Sequence, residues 1–199
     1  LSNDAVKLAV SMININEGSV KSTIAFYNYG TVGQNEIDHC VGVNNYDDMV
    51  IPEMEFTSND RMVAFGDTKA VIFEGAQKPQ AIAEIPMDEK TKSIFYNEHY
   101  IGIVTGNEDE AVTNHLAVYD ENGKLVMEKD FGLDYSSIEF LTNNEICIRN
   151  ANVCDIYTVH GVYKFHHEFE EELFEIIPGK LKLNYTLVLK DTTQRIRLK

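Results

Sequence analysis

Carboxylates are the chemically able side chains that this sequence places most often in turns. Asp47, Asp48, Asp67, Asp88, Glu89, Glu108, Asp109, Glu110, Asp134, Glu170, Glu171 and Glu172 all fall between apolar segments. Grouped acids can hold calcium through hard oxygen ligands or steer a basic partner. As a pair they can also cleave a glycosidic bond, one serving as acid and the other as base. Asp67 and Asp134 are the candidates for that pair. Asp47, Asp48, Asp67, Asp88, Glu108, Asp109, Glu110 and Asp134 are the candidates for a binding face. No loop carries the DxDxDG-type spacing of a calcium loop. No cofactor is therefore assigned, calcium being the one ion the set would suit. That missing spacing also favours a plainer account, in which loop carboxylates only supply solubilising charge.

The pair His166-His167, with Glu168 and Glu170, is the nearest approach to a metal cluster. Adjacent residues of a strand face opposite ways, so both imidazoles would not ligate one ion. They read as surface histidines on an outer strand, and no metal site is assigned. His99, His115 and His160 fall singly in or beside turns. There is no GxSxG elbow, HExxH helix, phosphate loop or GxGxxG turn. Tyr46, Tyr96 and Tyr135 lie near loops, where a tyrosine can stack on a sugar, although packing is the commoner use of such rings.

Composition narrows the partners. The chain has 199 residues, 17 Lys and Arg against 32 Asp and Glu, a net charge of −15, and a sequence pI near 4.7. Binding to a phosphate backbone needs clustered cations, so nucleic acid is excluded as an expected partner. Cys40, Cys147 and Cys154 are too few and too odd in number for a disulfide framework, and read as buried free thiols. Cys147 and Cys154 are spaced to lie across one hairpin. No apolar run is long enough to span a bilayer. The chain begins at Leu1, so it reads as a piece of a longer protein whose targeting segment lies upstream.

The elements that must position these residues are short strands. Arg61 to Phe65, Ala70 to Phe73, Tyr100 to Val104, Leu116 to Tyr119, Glu145 to Ile148 and Asp155 to Thr158 all read as strands. Their order repeats. Phe56, Phe95 and Phe140 each end an apolar strand before a polar turn, and the alternating pairs Met62/Ala64, Ile101/Ile103 and Ile146/Ile148 follow. A third strand then ends in a turn with glycine: Gly75, Gly123 or Gly161, with Gly30 as an earlier member. A period of about 40–46 residues with four strands per unit is the signature of an all-β propeller with WD40-like blades.

The blades are expected at 52–86, 92–130 and 136–169, with partial blades at 5–43 and 173–199, all within one domain or propeller segment of four to five blades. The first blade would lack its inner strand and the last its outer strand. Such open edges invite pairing, so self-association is one expected use of the chain. The acidic stretch 168–175 reads as a solvated connector.

Several segments resemble a known family. They are Ser22-Thr23-Ile24-Ala25-Phe26-Tyr27-Asn28-Tyr29-Gly30 with Val32-Gly33-Gln34, Val63-Ala64-Phe65-Gly66-Asp67, Tyr119-Asp120-Glu121-Asn122-Gly123, Gly161-Val162-Tyr163-Lys164-Phe165 and Arg195-Ile196-Arg197-Leu198-Lys199. The family is number 5711 among bacterial domains of unknown function, found mainly in gut Firmicutes. The similarity covers essentially the whole chain, as the C-terminal part of a member. It implies an extracytoplasmic propeller, anchored in the membrane through an N-terminal segment outside this chain. It implies no catalytic or binding residues.

These readings converge on a non-catalytic binding or scaffold propeller at the bacterial cell envelope. A protein or glycan partner would meet it at the acidic loop face. The rival is a glycan-active enzyme using Asp67 and Asp134, and a third reading is oligomerisation through open blade edges.

Overall fold

The computed structural model of the chain describes residues 1–16, 18–28, 40–106 and 114–198. Among them there is no helix, and hence none long and apolar enough to cross a membrane. The strands form five antiparallel sheets, each pairing its members in chain order. The first holds β1 (Lys7–Asn16), β2 (Ser19–Asn28) and β3 (Cys40–Asp47). The second holds β4 (Glu53–Ser58), β5 (Arg61–Phe65), β6 (Lys69–Glu74) and β7 (Gln80–Pro86). The third holds β8 (Thr91–Tyr96), β9 (Tyr100–Gly106), β10 (Asn114–Asp120) and β11 (Leu125–Phe131). The fourth holds β12 (Ser137–Phe140), β13 (Glu145–Asn150), β14 (Val153–Thr158) and β15 (Tyr163–Glu168). The fifth holds β16 (Leu173–Pro178), β17 (Asn184–Leu189) and β18 (Thr193–Arg197). Four-stranded meanders repeated along a chain are propeller blades, the class that the periodicity predicts.

The chain divides into two compact units. One is Leu1–Glu89 with Glu121–Lys124, and the other is Lys90–Asp120 with the chain from Leu125 onward. In the first unit, Ile24 and Phe26 of β2 pack on Met62, Ala64, Val71 and Phe73 of the second sheet, with Met49 and Ile51 between them. The rings of Phe26 and Phe73 stand 5.2 Å apart, tilted, an arrangement that aromatic quadrupoles favour. In the second unit one core joins the third and fourth sheets through Phe95, Val104, Leu116, Val118, Ile146 and Ile148. Another joins the fourth and fifth through Cys154, Ile156, Ile176, Tyr185 and Leu187.

Inner strands covered on both faces are apolar without interruption, which is why Met62 to Phe65 and Ala70 to Phe73 are all buried. Outer strands need only one apolar face, and β15 ends in the exposed run His166, His167, Glu168. The recurring phenylalanines mark matching pairings: Phe56 lies opposite Met62 and Phe140 opposite Ile146. Phe95 lies instead opposite Gly102, one position further along. Gly123 and Gly161 close third-strand turns with φ of +75° and +77°, a region that side chains with a Cβ enter only at a cost. Gly30 lies outside the described residues.

Two details correct the sequence reading. The acidic connector is shorter than 168–175: Glu168 ends β15, and Leu173, Phe174 and Glu175 open β16. Leu173 and Phe169 are buried there, so the stretch is anchored at both sides of its acids. His115 is the second residue of β10, with Nδ1 2.8 Å from Asp130 Oδ1 on β11. Cys40 is exposed at the start of β3, the outer member of the first sheet, whereas Cys147 and Cys154 are buried.

Candidate functional site

Turn geometry gathers part of the acidic set. Asp47, Asp48, Asp67, Asp88 and Glu89 belong to the first unit and all are exposed. Backbone bonds tie their turns together. Asp48 N donates to Val20 O at 2.7 Å, Asp67 N to Val50 O at 3.1 Å, and Met87 N to Thr68 O at 2.9 Å. Val50 N in turn donates to the Asp67 carboxylate at 3.2 Å. Asp48 adopts φ +53°, a conformation that aspartate tolerates better than most residues. Asp47 is partly offset by Lys21, 3.3 Å away. Five carboxylates thus share one end of the first two sheets.

In the second unit Asp134 is exposed in the connection leading to β12, near Ser136, whose N donates to Arg149 O. Glu170, Glu171 and Glu172 lie between β15 and β16. Glu171 accepts from Asp191 N at 3.3 Å, and Glu172 O accepts from Lys190 N at 2.9 Å. Asp67 and Asp134, the candidate acid and base, therefore fall in separate units, each exposed. Glu108, Asp109 and Glu110 lie outside the described residues.

The histidine pair splits between two environments. His166 Nδ1 is 2.7 Å from Asp155 Oδ1, whereas the His167 ring sits 4.6 Å from the Phe169 ring. Among the described residues no three His, Cys, Asp or Glu side chains converge to hold a metal. The candidate sugar-stacking tyrosines Tyr46 and Tyr135 pack against the cores of their units. Tyr46 packs against the first unit's core beneath Lys69, and burial raises its phenol pKa. Tyr135 shares a 2.7 Å hydrogen bond with Ser93.

A polar cluster in the second unit was not foreseen from the sequence. Glu145, at the start of β13, is buried. Its two oxygens take Lys164 Nζ from β15 and the Tyr185 hydroxyl from β17. Burial, and then the Glu145 carboxylate, push the Tyr185 phenol well above its ordinary value. A buried charge tolerates its desolvation only when paired and hydrogen-bonded, and here it is both. Glu145 and Lys164 form one wall of a cleft of about 490 Å³ that Asn143 and the turn between β16 and β17 complete. A second cleft of about 350 Å³, lined by Thr186, Arg195 and Ile196, lies against the same turn.

Comparison with known proteins bears on this architecture. The model of the family of unknown function DUF5711 matches residues 1–198. The chain belongs to that family. The curated proteins hold no match. Among solved structures the chain is similar to Kluyvelomyces marxianus Hsv2, with TM-score 0.53 and 9% identity over 90% of this chain and 56% of that one. It is similar to BamB from Moraxella catarrhalis, with TM-score 0.46 and 11% identity over 100% of this chain and 57% of that one. The Neurospora crassa Pan2 WD40 domain matches with TM-score 0.46 and 6% identity over 92% and 60%. The chain spans less than two thirds of the length of these structures. At such identities the likeness concerns fold alone, and the fold is a β-propeller.

Proposed function

We propose that this DUF5711 chain is a non-catalytic binding or scaffold propeller. It works at the bacterial cell envelope, on the outer side of a membrane, as part of a longer anchored protein. A protein or glycan partner is recognised through the acidic turns. The observation that carries this reading is the group Asp47, Asp48, Asp67, Asp88 and Glu89, exposed at one end of the first two sheets and set in turns that backbone hydrogen bonds brace. Exposed carboxylates on braced turns suit electrostatic recognition, which speeds encounter and selects partners by charge. The family resemblance supports the envelope location.

Binding is favoured over glycan hydrolysis by the state of Asp67. Catalytic carboxylates usually work from a concave pocket that excludes water, whereas Asp67 is exposed and already accepts from Val50 N. A thermal-shift screen with calcium, a chelator, envelope glycans and basic peptides tests the reading. A ligand at roughly 100 times its dissociation constant stabilises the fold by about 2.7 kcal/mol. A shift with glycan or basic peptide that is lost in D47N/D48N/D88N supports recognition through the acidic turns. No shift with either class leaves the carboxylates as solubilising charge and removes the proposal.

A further inference from the structure

Charge is segregated along this acidic chain. Residues 180–199 hold six of its 17 Lys and Arg but one of its 32 Asp and Glu, Asp191. The first of these cations flank the turn between β16 and β17, in the order Lys180, Leu181, Lys182, Leu183. The turn is built rather than loose. Gly179 N donates to Asn184 O at 2.7 Å, Asn184 N to Leu181 O at 3.2 Å, and Leu198 N to Leu183 O at 2.8 Å. Leu181 is 74% exposed, more than any other large apolar side chain among the described residues. Two clefts lie against the turn. Lys180 and Lys182 are exposed and form no ion pair among the described residues. Glu145, the acid lining the larger cleft, is already matched by Lys164 and Tyr185.

We propose that this turn docks on an anionic lipid surface. Lys180 and Lys182 pair with headgroup phosphates, and Leu181 enters the boundary between headgroups and acyl chains. An apolar tip between two cations fits that boundary, where long basic side chains keep their charge in water while an apolar neighbour is buried. A soluble phosphate would engage the lysines but give Leu181 no role. The chain's net charge of −15 repels an anionic surface, so attraction has to come from this local reversal of sign. The acidic-turn reading draws on residues of the first unit and this turn belongs to the second, so the inference does not rest on that reading.

Co-sedimentation of the chain with phosphatidylcholine vesicles, with and without phosphatidylglycerol, tests it. Binding is expected to the phosphatidylglycerol vesicles alone and to weaken as salt rises. K180E/K182E is expected to cut the partition coefficient roughly 30-fold or more, and L181S by about tenfold. All three positions are exposed, so circular dichroism of the variants is expected to match the parent. Equal binding to both vesicles, no binding to either, or binding that the turn variants leave unchanged overturns the proposal. Stabilisation by inorganic phosphate without vesicle binding also overturns it, in favour of a free-anion site.

Discussion

Tyr185 donates its hydroxyl to Glu145, a carboxylate forty positions earlier in the chain that also pairs with Lys164. This contact joins β17 to β13 and β15, so one buried acid links the fourth sheet to the fifth. Removing the acid strands two polar partners, whereas removing the hydroxyl strands one. E145A is expected to cost about 3–5 kcal/mol, and Y185F about 1.5–3 kcal/mol because its partner is charged. Urea denaturation of the single and double variants is expected to give a coupling energy above about 0.5 kcal/mol, and strict additivity would show that the contact is not made in solution.

Alkaline stability follows from Tyr157. Burial, with help from Asp155 and Tyr163, pushes its phenol up to about 12 from an ordinary value of 10.0. The folded state thus holds this proton more tightly than the unfolded one. The stabilisation is complete below pH 10 and is lost as pH rises from about 10 to about 12. Stability against pH is expected to fall through that window in the parent and less steeply in Y157F.

Thiol reactivity is expected to divide one against two. Cys40 is exposed, while Cys147 and Cys154 are buried with Sγ atoms 3.7 Å apart on paired strands. The hydrogen bond with Cys147, and then burial, push the Cys154 thiol up, which keeps it from forming a reactive thiolate. An aromatic disulfide reagent is expected to modify only Cys40 in the native protein and all three after denaturation. Fast native reaction in C40S would contradict this packing.

Gly102 is expected to resist substitution. A Cβ there would stand 2.2 Å from Phe95 Cζ, and the Phe95 ring already lies 4.6 Å from that of Phe140. G102A is expected to cost about 1–3 kcal/mol through overpacking. The same substitution beside F95L is expected to cost less, because the smaller side chain leaves room for the new methyl group.

The legible parts of this fold were those where burial dictates residue type. Met62 to Phe65 and Ala70 to Phe73 show their covered position directly, because both faces are apolar. Leu173–Glu175 was harder to read as strand, since acids flank it and only Leu173 of the three is buried. The acidic turns could be read as turns, but which of them stand together depended on bonds such as Asp67 N to Val50 O. The cluster of Glu145, Lys164 and Tyr185 was hidden, because its members meet only once three strands are in register. The basic character of residues 180–199 was visible but averaged away in the net charge of −15.

Recognition through the acidic turns is tested most directly by titrating oligolysine into two variants of equal net charge. D47N/D48N/D88N/E89Q neutralises the braced turns of the first unit, and E55Q/E98Q/E168Q/E175Q removes as many charges from exposed positions elsewhere. The account predicts that affinity falls several-fold more in the turn variant than in the scattered one. An equal loss in both would mean that the probe reads net charge alone, and would contradict a recognition face at these turns.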